Sequence, residues 1–267
     1  MILKETGYNG VKGFEIARTY FGKAIWTTRI YIMGPVMIDT AAPNVSEAVG
    51  TMVERFSPQL VLVTHHHEDH SGNSGMIKDR FGIPVLGSRL TALAVRKKFY
   101  LAFFQRLAWG SPMPNSMDVL ENEITCGDYT LKVFPAPGHS HDMTVFLEPN
   151  RGWLFSGDLY LASRVKLFRD DEDFGQSKAS LQKILELDFD ALFCGHNPKP
   201  VQGKKYLKEK LQYFLELEGN AKDLHRKGLD SREIAARLLG GEGLFPLLTS
   251  GRLAKRHLID SILAQSS

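Results

Sequence analysis

The sequence predicts a layered α/β fold, and three observations predict it. Short apolar runs bounded by Gly or Pro alternate with helical patterns along most of the chain. At 43% apolar and 24% charged, the 267 residues have the material for a sizeable core. The stretch after residue 203 reads as helix almost throughout.

Taken in order, residues 11–17, 25–33 and 36–39 carry alternating or continuous apolar residues and predict strands. Ala48, Met52, Val53 and Phe56 share one helical face, with Asn44 or Ser46 as cap and Pro58 as stop. Leu60-Val61-Leu62-Val63 is a short buried strand that runs into Thr64-His65-His66-His67-Glu68-Asp69-His70-Ser71-Gly72-Asn73. A helix over 74–81 stops at Gly82, and 83–86 is strand again. The segment 89–117 sets Phe99, Tyr100, Phe103, Phe104, Leu107 and Trp109 at helical spacing. Ordinary packing is its first reading, and a lid over a site or the contact of a homodimer its second.

Strands follow at 123–126, 129–134, 144–147 and 153–156, then a helix over 178–187 and a strand over 191–194. Residues 204–264 read as helices broken at Gly219, Gly228 and Gly240-Gly241. The predicted organisation is a main domain over 1–203 and a helical C-terminal subdomain over 204–267.

Composition excludes several classes. Two cysteines, Cys126 and Cys194, cannot build a disulfide scaffold and suit a reducing compartment. No run approaches the roughly 18 apolar residues of a membrane helix. The N-terminus lacks the basic and then apolar plan of a secretory signal, so the expected location is cytoplasmic. The net charge of +3 is too small to imply a polyanionic partner; the tail from Gly203 holds 12 Lys/Arg against 8 Asp/Glu, which reads as solvated helix faces.

Histidine placement is the informative feature. Of nine histidines, four fall between His65 and His70, and two more are His139 and His141. In extended chain, residues i and i+2 project the same way, which aims His65 and His67 at one point. A helix starting near Asp69 sets that carboxylate and His70 in its first turn, facing the same pocket. Imidazole and carboxylate are ligands of borderline divalent ions such as zinc. His66 and Glu68 point away from the convergence. His139, Asp158 and His196 each follow a predicted strand and each sits beside a glycine, at Gly138, Gly157 and Gly195.

The set His65, His67, Asp69, His70, His139, Asp158 and His196, in this order, resembles the metallo-β-lactamase fold superfamily over roughly residues 11–200. The resemblance implies an αβ/βα four-layer sandwich with metals at one edge and a helical C-terminal extension. It implies that His65, His67 and His139 hold one ion, that Asp69, His70 and His196 hold a second, and that Asp158 bridges them. Asp39 would support the metal loop. The branch is glyoxalase-II-like, yet His141-Asp142 and Asp158-Leu159-Tyr160 depart from that enzyme's usual residues.

Two such ions, zinc first and iron or manganese after it, imply a binuclear metallo-hydrolase. A metal-bridging hydroxide would attack a small ester, thioester, lactone, amide or phosphodiester. Asp69 would serve as ligand and proton acceptor. Tyr160 would donate to an oxyanion or leaving group, or else pack as an ordinary half-buried tyrosine. His141 is a proton shuttle or a surface residue; Arg164 and Lys166 hold an anionic substrate or are solvated. Cys194 reads as a small buried residue. Two alternatives stand beside this: a mononuclear-iron persulfide-dioxygenase-like enzyme, and a nucleic-acid-processing hydrolase. The capped helix at 229–238 and the helix beginning at 249–258 resemble a small winged-helix-like tail, but no continuous basic stripe accompanies them. A small-molecule substrate is expected, with neither membrane nor nucleic acid as partner.

Overall fold

A computed structural model describes residues 1–20, 23–24, 26–98 and 101–265. The expectations for Ile25, Phe99 and Tyr100 lie outside the described residues. Seven strands form the first sheet, in the order Ile2–Tyr8, Val11–Ile16, Thr28–Met33, Val36–Ile38, Leu60–Leu62, Val85–Gly87 and Asp118–Val119. The second sheet holds five, in the order Glu123–Cys126, Tyr129–Pro135, Thr144–Glu148, Trp153–Gly157 and Ala191–Cys194. The strand over residues 2–8 is not among the expected ones; the Asn9-Gly10 turn, with φ of 46° and 99°, closes that hairpin and is its sequence signal.

Strand periodicity sorts the side chains into layers. Along Thr28–Met33, Ile30 and Ile32 point to one face of the sheet, while Tyr31 and Met33 point to the other. Val61 and Val63 likewise oppose Leu60 and Leu62. The first faces pack beneath Val49, Met52, Val53 and Ile77 of the helices Ser46–Phe56 and Ser74–Phe81. The second faces meet Phe146, Trp153, Phe155 and Phe193 of the other sheet. The far side of that sheet, with Val145, Leu154 and Leu192, packs on Leu181, Leu207 and Phe214 of the helices Phe174–Leu185 and Gly203–Arg226. Helix, sheet, sheet, helix is the order of an αβ/βα sandwich. Burying each large side chain between the sheets contributes about 1.5–3 kcal/mol.

The helices after residue 203 share the core of the second sheet. Phe214, Ile234, Leu258 and Ile262 join Ala136, Val145 and Leu192 in one buried cluster. Helix Gly203–Arg226 runs through Gly219 unbroken, contrary to the expected stop, because Phe214, Leu217 and Ala221 fasten it on both sides. Asp230 caps helix Ser231–Leu239 by accepting from the backbone N–H groups of Arg232 and Glu233, and Glu233 reciprocates. After a short helix over Phe245–Leu248, the last helix starts at Lys255, later than expected, since Leu253–Ala254 first pairs as a strand with Phe168–Arg169. Neither Asn44 nor Ser46 caps Ser46–Phe56 with its side chain: Asn44 donates to the Ala108 carbonyl, and the Ser46 hydroxyl lies against Pro43 and Asn73. Among the described residues no helix is long and apolar enough to cross a membrane.

Candidate metal centre

Both sheets deliver polar residues to one edge of the sandwich. Strands Val36–Ile38 and Leu60–Leu62 are parallel and end at Asp39 and at the histidine-rich loop. Strands Trp153–Gly157 and Ala191–Cys194 are parallel and end at Asp158 and, two residues on, His196. His139 follows Tyr129–Pro135.

The structure brings all seven expected ligands together. His65 Nε2 lies 3.0 Å from His67 Nδ1, which lies 3.1 Å from His139 Nε2. Asp69 Oδ2 is 3.7 Å from His70 Nε2 and 3.5 Å from His196 Nε2. Asp158 stands between the two sets, with Oδ2 3.3 Å from both His139 Nε2 and His196 Nε2, and Oδ1 3.4 Å from His70 Nε2. Donors about 2.0–2.1 Å from a tetrahedral ion are about 3.3–3.4 Å apart, so these spacings suit metal ligation.

Hydrogen bonds fix which nitrogen faces inward. The Asp39 carboxylate accepts from the Thr64 N–H at 2.8 Å and from His70 Nδ1 at 2.8 Å. The Thr64 hydroxyl also donates to Asp39, at 2.9 Å, and so can only accept from His65 Nδ1, 3.0 Å away. His196 Nδ1 donates to the Thr27 carbonyl at 2.6 Å. In each of the three rings Nε2 is left aimed at the cluster, the nitrogen a metal would take. His70 Nε2 and Asp158 Oδ1 are buried and make no hydrogen bond. Buried polar atoms are rarely left so, and a cation would satisfy both.

The two sets differ electrostatically. Burial, reinforced by neighbouring histidines at His65 and by Arg169 at His67, lowers both imidazoles well below their usual range. They are neutral and ready to ligate. Burial also opposes charge on His196, but the carboxylates of Asp158 and Asp69 outweigh it and raise that ring to about 9. His70 is raised by the same kind of contest. Burial would raise Asp158, yet His196 and His70 hold it well below the carboxylate range.

Glycines make this approach possible. A Cβ on Gly195 would stand 2.5 Å from His70 Cε1 and 2.6 Å from Asp158 Oδ1. A Cβ on Gly138 would strike Ser177, including its backbone nitrogen, and Gly138 also holds a φ of 139°.

The remaining expectations sort cleanly. His66 turns away and pairs with Asp142, whose carboxylate accepts its N–H at 2.8 Å and meets Nδ1 at 2.8 Å. Tyr160 is not brought to the cluster: its ring lies against Tyr206 and its hydroxyl meets Ser163 at 3.2 Å. The turn after Asp158 carries it into the helix layer, and the packing reading applies. Arg164 lines a separate surface hollow beside Glu209 and Tyr213. His141 is exposed, its ring 5.6 Å from that of His66. Cys194 is buried, and burial pushes its thiol up to about 11.

A cavity of about 360 Å³ opens over the cluster, and His67, Asp69, His139, Asp158 and His196 line its floor. Its walls are Trp26, Phe104, Trp109, Leu161, Leu167 and Leu253, with Arg169, Arg252 and Glu172 among them. The aromatic segment therefore supplies a wall of the cavity through Phe104 and Trp109, both in ring contact with Trp26. Glu172, 3.5 Å from His139 Nδ1, and Arg169 beside it are not among the expected site residues. The run Asp170-Asp171-Glu172 was the available signal.

Residues 33–196 match the family model of the metallo-beta-lactamase superfamily. The chain belongs to that superfamily. Its members are generally hydrolases, and their fold binds metal ions, typically zinc. A beta-lactamase-like protein 2 homolog of Caenorhabditis elegans is 26% identical over 181 residues, which are 64% of this chain and 56% of that protein. A hydroxyacylglutathione hydrolase of Bdellovibrio bacteriovorus is 28% identical over 138 residues, 51% of this chain and 48% of that one. The chain thus spans about half the length of these curated relatives. A metallo-beta-lactamase family protein from Thermus thermophilus shares the fold over 96% of this chain and 92% of its own, with a TM-score of 0.66 and 18% identity.

Proposed function

We propose that this superfamily member is a metal-dependent hydrolase of a small ester, thioester, lactone or phosphodiester, working with two divalent ions, zinc first among them. The observation that supports this is Asp158, whose two oxygens face both donor sets at 3.3–3.4 Å. His65, His67 and His139 would hold one ion; Asp69, His70 and His196 the other. Two ions so held would lower the pKa of a shared water toward ~7 and polarise the oxygen of the scissile group.

The protein's own groups do the rest. Asp69 lines the cavity floor and is placed to take the proton of the attacking water and pass it to the leaving group. Asp39, Thr64 and the Thr27 carbonyl hold the imidazoles at fixed rotation through the reaction. The apolar walls lower the polarity around the floor, which strengthens the polar contacts there. Arg169 and Arg252 provide positive charge for an anionic part of the substrate.

Metal content measured beside rates on thioesters, lactones, phosphodiesters and β-lactams tests this reading. The expected result is chelator-sensitive turnover of at least one class, lost in H65A and D158A while the circular dichroism of the fold persists. Turnover that survives chelation or D158A would overturn it.

A further inference from the structure

The apolar cavity does not end at its own wall. A second hollow of about 430 Å³ adjoins it, and the two share His67, Glu68, Gln105, Arg169 and Arg252 as common lining. The first is walled mainly by tryptophan, phenylalanine and leucine; the second adds Lys97, Lys98 and Asp171 to the shared arginines, beside leucine and alanine side chains.

The ion pairs show which cations are uncommitted. Arg169 Nε and Nη2 donate to the Asp171 carboxylate at 2.9 and 3.1 Å. Arg252 lies 3.6 Å from Asp170 and 4.0 Å from Asp171. Glu68 is buried, accepts from Gln105 at 3.0 Å and acts on Arg169, adding to the partial neutralisation of that guanidinium. Lys97 and Lys98 are exposed on the lip of the hollow, and neither has a carboxylate partner among the described residues. Two uncommitted ammonium groups beside two partly neutralised guanidiniums match a dianion better than a single carboxylate.

Resting on the hydrolase reading above, we propose a substrate class: an ester or thioester whose acyl half is apolar and whose alcohol or thiol half carries a phosphate. The acyl chain fills the cavity walled by Trp26, Phe104 and Trp109. The scissile carbonyl lies over the floor, and the phosphorylated half crosses the His67–Arg169 saddle to Lys97 and Lys98. Water adds to the acyl carbon, the bond from that carbon to oxygen or sulfur breaks, and one water proton leaves on the alcohol or thiol. The products are a fatty or aromatic carboxylate, a proton and the phosphorylated alcohol or thiol.

Binding and turnover test this separately. The probes are the S-octyl thioethers of phosphopantetheine and of pantetheine, which cannot be hydrolysed, titrated into the metal-stripped full chain. The phosphorylated probe is expected to bind at least 10-fold tighter, and K97E/K98E to erase that preference. Octanoyl thioesters of the same two thiols, given to metal-loaded protein, are expected to differ in KM rather than kcat. Equal binding of the two thioethers, or a preference that survives K97E/K98E, overturns the proposal. If metal-loaded protein hydrolyses 4-nitrophenyl octanoate but neither thioester is preferred, the substrate class fails and the hydrolase reading stands. If the full ester, thioester, lactone and phosphodiester panel shows no metal-dependent turnover, both fail.

Discussion

Asp39 and His70 form the hinge of the site: the carboxylate Oδ2 accepts from Nδ1 at 2.8 Å, and the opposite nitrogen is thereby aimed at Asp69 and Asp158. Asp39 holds a left-handed φ of 61° at the end of its strand and is buried, so backbone and side chain are both committed to this contact. D39A would strand the Thr64 N–H, the Thr64 hydroxyl and His70 Nδ1 at once. Each buried group left unpaired costs about 1–3 kcal/mol. Loss of an outer partner of this kind weakens metal binding by roughly 10–100-fold. Metal titration and thermal melts of D39A check both effects; unchanged metal affinity would refute the role of Asp39.

Metal uptake should depend on pH in a defined direction. In metal-free protein, Asp158 and Asp69 overcome burial and hold His196 protonated up to about 9. Binding an ion must expel that proton, and the one on His70 raised by the same carboxylates, so affinity rises with pH. Calorimetry at pH 7 in buffers of different ionisation enthalpy should register proton release. The same raised pKa stabilises the metal-free fold below the unfolded value of about 6.5, and that stability is lost as pH climbs toward about 9. Metal-loaded protein should lack this decline.

Gly195→Ala tests the packing of the floor. Its Cβ would press on His70 and Asp158 from 2.5 and 2.6 Å, with no flexible neighbour to yield. The expected outcome is a folded protein with sharply reduced metal content and turnover. Full metal content in G195A would show that the floor is looser than its geometry implies.

Asp142 ties the histidine loop to the rest of the molecule. It holds the His66 N–H and ring, and accepts from the Thr91 hydroxyl at 2.8 Å. Burial opposes its charge, but His66 outweighs burial and keeps the carboxyl well below its usual range. Its contribution is present above the ordinary carboxylate value of about 3.9 and is lost as pH falls through the depressed one. D142N should remove part of the acid-unfolding transition and cost about 1–3 kcal/mol at neutral pH. Denaturant melts from pH 2.5 to 7 measure both.

Much of this was legible in the sequence because it rests on short-range periodicity. Apolar runs along Thr28–Met33 and Leu60–Leu62 announced strands, and the i, i+2 rule placed His65 beside His67. What escaped depends on long-range pairing. Arg169 and Arg252 reach the cavity because Phe168–Arg169 bridges to Leu253–Ala254 across more than eighty residues, which no local pattern encodes. Tyr160 shows the converse: nearness to Asp158 in sequence says nothing of direction after a turn, and of its two readings the ring against Tyr206 fits the packing one. The break expected at Gly219 rests on propensity alone, and a cost of about 1 kcal/mol is easily outweighed by the buried Phe214, Leu217 and Ala221 around it.

Counting metal on the purified, zinc-equilibrated protein tests the central claim most directly. The arrangement predicts two ions per chain, falling to about one in H139A and in H196A, and further in D158A. One ion or none per wild-type chain at saturation, or two ions retained in D158A, would contradict it.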